Sequence, residues 1–113
     1  TPEGFAGSPY NLAPEFHDSL RHVHGAVGAG RDDNPQKLSA GCQLYIVANK
    51  NGLARLDGNY TVYGQVIKGM DVVEAIVSVP TDSTDAPLVP IKLHVDIVKL
   101  TSAQLASHGF QVK

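Results

Sequence analysis

The sequence predicts a mostly β domain, closed or sandwich-like, with one firm helix. Three observations predict it. β-Branched and aromatic residues gather in short runs, eleven Gly and seven Pro punctuate those runs, and only one segment shows an apolar stripe at helical spacing. At 113 residues and 42% apolar content, the chain suffices for one small domain spanning 1–113. With no Trp, four Tyr and three Phe, its core must rest mainly on Val, Leu, Ile and Ala.

Residues 1–15 carry Pro2, Gly4, Gly7, Pro9 and Pro14 and read as irregular chain with turns. After Phe16 comes the polar "HDSLRHVH", then "GAVGAG", a small-residue strand that lets another backbone approach closely. "RDDNPQKLSAG" has the composition of a loop. "CQLYIVAN", 42–49, reads as a mostly buried strand. "KNG" at 50–52 and "LDGN" at 56–59 are turns. From Tyr60 to Ile67 both sets of alternate positions are apolar, as in a strand covered on both faces, with Gly64 as a bend or bulge. Gly69 admits a helix whose Val72, Val73, Ile76 and Val77 share one stripe, and Pro80 ends it. "TDSTDAPLVP" is a loop. "IKLHVDIVKL", 91–100, is the cleanest strand, with Ile91, Leu93, Val95 and Ile97 facing one way. "SAQLASHGF" is a short C-terminal helix or an ordered tail.

Eleven acidic residues stand against nine basic ones, without a basic run, so nucleic acid is not an expected partner. No apolar stretch reaches the length of a membrane span. Cys42 is the single cysteine, which excludes an internal disulfide and a thiolate cluster. No segment resembles a signal peptide, and both cytoplasm and periplasm fit. The chain starts at Thr1 and its one methionine is Met70, so it is expected to be part of a longer translated product.

Chemistry is hard to find by spacing alone. His17, His22 and His24 lie in "FHDSLRHVH", but no third ligand accompanies the His22/His24 pair, and solvated surface histidines are the expectation. "GAVGAG" has the wrong glycine spacing for a phosphate cradle. Asp32–Asp33 and Asp82/Asp85 suit turns better than calcium. Cys42 opens an apolar strand and reads as a buried thiol rather than a nucleophile. There is no nucleophile elbow, acid–base pair or metal box, and no cofactor is expected.

The order of several motifs carries more. "AGCQLYIV" and then "LDGNYTVYGQVIKGMDVVEAI" resemble the second half of a cyclophilin-type peptidyl-prolyl isomerase, in which Gly-Ser-Gln-Phe-Phe-Ile precedes Leu-Asp-Gly-x-x-Thr/Val-Val-Phe-Gly-x-Val-x-x-Gly-Met-Asp-Val-Val. Upstream, "YNLAPEF" and "HVHGAVGAGR" are similar to that family's Tyr-x-Ile-x-x-Glu-Phe and His-x-x-Gly-x-x-x-Met-Ala-Arg/Asn segments. "APLVPIKLHVDIVKL" fits its final barrel strand, and bacterial members look closest.

The resemblance implies an eight-stranded β-barrel with capping helices, and rotation about Xaa–Pro bonds in proline-containing peptides or unfolded proteins. Gln43 matches the glutamine whose amide holds substrate backbone. Tyr45 falls where a phenylalanine floors the proline pocket, Leu56 matches the pocket leucine, and Tyr60 stands where many members carry histidine. Ala29, Gly30 and Arg31 fall on the segment that takes the substrate backbone. Arg55 occupies a place where some members carry tryptophan. By this carry-over Gln43, Tyr45 and Tyr60 are catalytic, while Ala29, Gly30, Arg31 and Leu56 bind substrate. Each also has a bland reading, as core packing or a satisfied strand end.

One departure stands out. The family's catalytic arginine lies in Phe-x-x-x-x-Phe-His-Arg-Val-Ile, followed by Gln-Gly-Gly-Asp, and this chain contains neither. The expectation is therefore the C-terminal portion of the domain, with the first strands and first helix outside this chain. Two alternatives accompany it: a binding module that grips proline segments without turnover, and a half-barrel that needs an N-terminal companion or second chain.

Overall fold

The computed structural model describes residues 10–108. Of the irregular stretch expected over 1–15, residues 1–9 lie outside the described residues, as do the tail residues from 109 onward. The chain forms two compact units, Thr1–Val66 and Ile67–Lys113. The described residues bear out a mostly β class: five short strands in two antiparallel sheets, with few helices.

In the first unit β2 (Ala26–Ala29) is the central strand of a three-stranded sheet, between β4 (Leu44–Ile46) and β5 (Val62–Gln65). Its small residues make that possible. Gly28 lies opposite Tyr45, and Ala29 opposite Leu44. On the other side Val27 pairs with Gly64 but Gly28 with Val62, so one extra residue, Tyr63, bulges from β5. The break expected at Gly64 thus falls one residue earlier. Gly64 supports close pairing instead, since a β-carbon there would sit 3.3 Å from Val27 Cβ.

The core is small: Ala26, Val47 and Val62 are buried, with Tyr45 and Leu53 packed against them. β1 (Asn11–Leu12) pairs with β3 (Ser39–Ala40), so part of the expected irregular stretch and of the expected 31–41 loop is a short ladder. Cys42 is exposed, not buried. Leu44 and Ile46 are also exposed, at 53% and 36%, and so is Tyr63. The mostly buried strand expected at 42–49 and the two-sided covering expected of 60–67 are therefore not found in the described residues. An apolar run reveals that a strand can be covered, but not what covers it.

In the second unit α1 (Met70–Val77) starts after Gly69, whose φ of +94° is a left-handed conformation that suits glycine. It ends before Pro80, with Ser78 Oγ donating to the Glu74 carbonyl. The apolar stripe forms, but Val72, Ile76 and Val77 are exposed. Asp82 makes the turn expected of it: Oδ1 accepts from the Thr84 N–H and hydroxyl and the Ala86 N–H. α2 (Ser102–Ser107) begins with a reciprocal cap between Thr101 and Gln104.

Residues 91–100 correct the plainest strand expectation. They carry no ladder among the described residues, and Leu93, Val95 and Ile97 are exposed. Alternation states which face a strand would bury, whereas a strand exists only where another chain segment supplies hydrogen-bond partners.

Candidate functional site

Gly28 on β2 and Gly30 just after it position two side chains, Tyr45 on β4 and Gln43 just before it. A β-carbon at Gly28 would meet the Tyr45 ring, and one at Gly30 would lie 2.8 Å from Gln43 Cβ. Tyr45 and Gln43, two residues apart on one face, therefore lie flat across the glycine backbone. The "GAVGAG" run thus admits side chains across it as well as the neighbouring backbones expected there.

From Tyr45 a stack of rings leads outward. Tyr60 meets it edge-on, with ring centroids 6.2 Å apart, and the Arg31 guanidinium lies 4.3 Å from the Tyr60 centroid. Each nitrogen of the Arg31 guanidinium makes a hydrogen bond. Its Nε and Nη2 donate to the Asn59 carbonyl at 3.1 and 3.0 Å, and Nη1 to the Asp32 carbonyl at 2.9 Å. Lys37 Nζ grips the same turn, donating to the Gly58 carbonyl and to Asn59 Oδ1. The turn itself is wound by Leu56, at the end of a 3₁₀ segment (Ala54–Leu56), whose carbonyl accepts from the Asn59 and Tyr60 N–H groups. Leu56 thus sets the direction of Tyr60 through its backbone.

Gln43 and Ala29 line a cavity of about 220 Å3 together with Leu12, Ser39, Thr61 and Tyr63. The Gly30 N–H donates to the Gln43 carbonyl at 3.2 Å. The seven residues singled out in the sequence therefore fall into three groups. Tyr45, Tyr60 and Arg31 form the stack, Gln43 and Ala29 line the cavity with Gly30 bonded to Gln43 beside them, and Leu56 serves the turn. Tyr45 on β4 and Gln43 just before it join the stack to the cavity wall. Arg55 is exposed.

Behind Tyr45 lies a polar pair that sequence reasoning missed. His22 is 2% exposed, which corrects its expected place among solvated histidines. Asp57 Oδ1 accepts from both the His22 backbone N–H and the ring Nδ1, each at 2.8 Å, and His22 Nε2 bonds to the Tyr45 hydroxyl. The His22 and Tyr45 rings are close to parallel, 13° apart. The Asp57 carboxyl is held below its ordinary value, first by the His22 backbone N–H and then by the ring. In sequence, Asp57 reads only as a turn residue and His22 only as part of a polar segment. Their separation of 35 positions gives no local signal. Among the described residues no cluster of three or more metal-binding side chains occurs.

Burial, and next the nearby Tyr60, push the Tyr45 phenol up to about 12 from its ordinary 10.0. The folded chain keeps this proton to higher pH than the unfolded chain does. Its contribution to stability is accordingly complete below pH 10 and is lost as pH rises toward about 12. Alkaline unfolding followed by circular dichroism should show this loss, and Tyr45→Phe should remove it. An identical alkaline limb in both proteins would assign the loss to other groups.

The model of the family described as cyclophilin type peptidyl-prolyl cis-trans isomerase/CLD matches residues 2–97. A peptidyl-prolyl cis-trans isomerase of Acinetobacter baylyi is 38% identical over 98 residues, covering 80% of this chain and 51% of the relative. The Arabidopsis thaliana isomerase CYP18-2 is 30% identical over 91 residues, 80% of this chain and 52% of its own length. A probable peptidyl-prolyl cis-trans isomerase of Brucella abortus is 38% identical over 73 residues, 65% of this chain and 35% of its length. The chain thus spans about half the length of the first two relatives.

Proposed function

This chain belongs to the cyclophilin-type peptidyl-prolyl cis-trans isomerase family, and from that premise we propose that its β2–β4 face is one wall of a groove that binds and rotates Xaa–Pro bonds. The observation that carries the reading is the pair of glycine seats, Gly28 and Gly30, which hold Tyr45 and Gln43 side by side across β2.

The barrier to rotation is about 18–20 kcal/mol, set by amide resonance, and no covalent bond need break. A catalyst therefore has to hold the proline ring and favour the twisted amide over both planar forms. Tyr45 floors the ring site, Tyr60 walls it, and Gln43 holds a substrate amide. Ala29, Gly30 and Arg31 supply the edge along which peptide backbone lies, and Leu56 shapes the turn beside it. No cofactor enters. The substrates are proline-containing peptides or unfolded proteins, and the role is assistance to folding. The domain is the C-terminal portion of an eight-stranded barrel. β4 and β5, at the margins of the three-stranded sheet, and the exposed Leu44 and Ile46 would meet an N-terminal segment or a second chain.

One observation favours a second reading, a module that binds proline segments without turnover. Arg31 is already committed to the Asn59 and Asp32 carbonyls and is poorly placed to serve as a donor to the proline nitrogen.

Two-dimensional NMR exchange on an Ala-Pro peptide separates these. Catalysis predicts faster cis–trans exchange with the chain present and its loss in Gln43→Ala, where each tenfold of rate corresponds to about 1.4 kcal/mol. Shifted peptide resonances with unchanged exchange would leave the binding module. Neither effect would overturn the groove in this chain.

A further inference from the structure

We infer that His22, oriented by Asp57, is a positioning residue that ties the Tyr45 hydroxyl inward, so that the tyrosine presents an apolar ring to the proline site. The inference rests on the groove reading above and adds the means by which a tyrosine can serve there.

A phenol at the floor of an apolar site poses a problem. Its hydroxyl must find a partner, and a partner within the groove would keep water or a competing polar group where the proline ring should sit. The structure resolves this behind the ring. Ionised Asp57 only accepts, so the His22 Nδ1 facing it at 2.8 Å carries the proton. In the neutral imidazole Nε2 is then the acceptor, and the Tyr45 hydroxyl donates to it. The imidazole cannot turn freely. Its side chain is fully buried, its own backbone N–H is bound to the same carboxylate oxygen, and its carbonyl accepts from the Leu53 N–H at 2.8 Å. Tyr45 is thus fixed at three places: its hydroxyl by His22, its ring face by the Gly28 backbone, and its edge by Tyr60.

The test combines a spectroscopic readout with affinity, in the full chain. Nitrogen-15 shifts of the His22 ring should report an Nδ1-protonated tautomer with Nε2 as acceptor, and the reverse tautomer would overturn the inference. Affinity for the Ala-Pro peptide is then measured by NMR titration. His22→Leu, which strands the hydroxyl, should weaken binding about tenfold. Adding Tyr45→Phe to it should recover most of that loss, because both polar partners are then gone.

If His22→Leu alone does not fold, Tyr45→Phe and the double variant are compared. Positioning predicts affinities within about threefold, since neither has a hydroxyl to hold. A large further loss in the double variant would assign His22 to packing only and overturn the inference. Wild-type binding left unchanged by His22→Leu would also overturn it, while the groove reading stands. Absence of binding by the wild-type chain would overturn the groove reading, and this inference with it.

Discussion

Gly28→Ala is expected to unseat Tyr45 and to abolish measurable binding of proline peptides. A β-carbon at Gly28 would lie 2.3 Å from Tyr45 Cζ and Oη and 2.6 Å from Cε2. A ring at the end of a free side chain would swing away at little cost. This ring is held by His22 at its hydroxyl and by Tyr60 at its edge, so the strain is shared with β2 and with the core that Tyr45 helps to cover. Overpacking of this kind costs about 1–3 kcal/mol in stability. On the proposed groove reading the loss in affinity should exceed tenfold, because the ring that would floor the proline site is displaced. Thermal unfolding and peptide titration of the same sample check both parts. Unchanged stability and unchanged affinity would mean that the ring is loosely held, contrary to the three contacts described.

Gly52→Ala should be clearly more destabilising than Gly58→Ala or Gly69→Ala, although all three glycines have positive φ. Gly52 has φ +78°, and a β-carbon there would sit 2.5 Å from the His22 carbonyl oxygen. The oxygen belongs to the backbone and a β-carbon is fixed rigidly to it, so neither can rotate aside. The left-handed conformation adds about 1–2 kcal/mol for a non-glycine residue, and the clash adds a cost of similar size. Gly58 provides the control, since its φ is +75° but nothing lies within 4 Å of a β-carbon there. Gly58→Ala should therefore show the conformational cost alone. Equal unfolding midpoints for the two variants would show that the His22 segment yields easily, and the rigidity attributed to that segment would be withdrawn.

The residues of the site were legible in unequal measure. Gln43, Tyr45, Tyr60 and the 29–31 segment emerged because they fall in motifs whose order along the chain matches a family, and the structure groups them in the neighbouring stack and cavity wall. The chemistry proposed for them was not legible from residue type, since a reaction that breaks no bond would leave no nucleophile or metal box to find. Arg31 was expected along the substrate backbone. The structure shows its guanidinium clamping the turn that carries Tyr60. Gly28, which seats Tyr45, read only as one small residue in a run of small residues.

By itself the sequence determined the elements whose causes are local. The helix after Gly69, the turns at 50–52 and 56–59, the Asp82 turn and the strand character of 25–30 all follow from backbone preference, capping or periodicity within a few residues. Tertiary structure alone decided the rest. It placed His22 inside, Cys42 outside and the bulge at Tyr63, and it left 91–100 without a ladder among the described residues. These depend on which distant segment supplies a hydrogen-bond edge, a carboxylate or a covering face. Asp57 is 35 residues from His22, and neither residue type nor spacing records that the two meet.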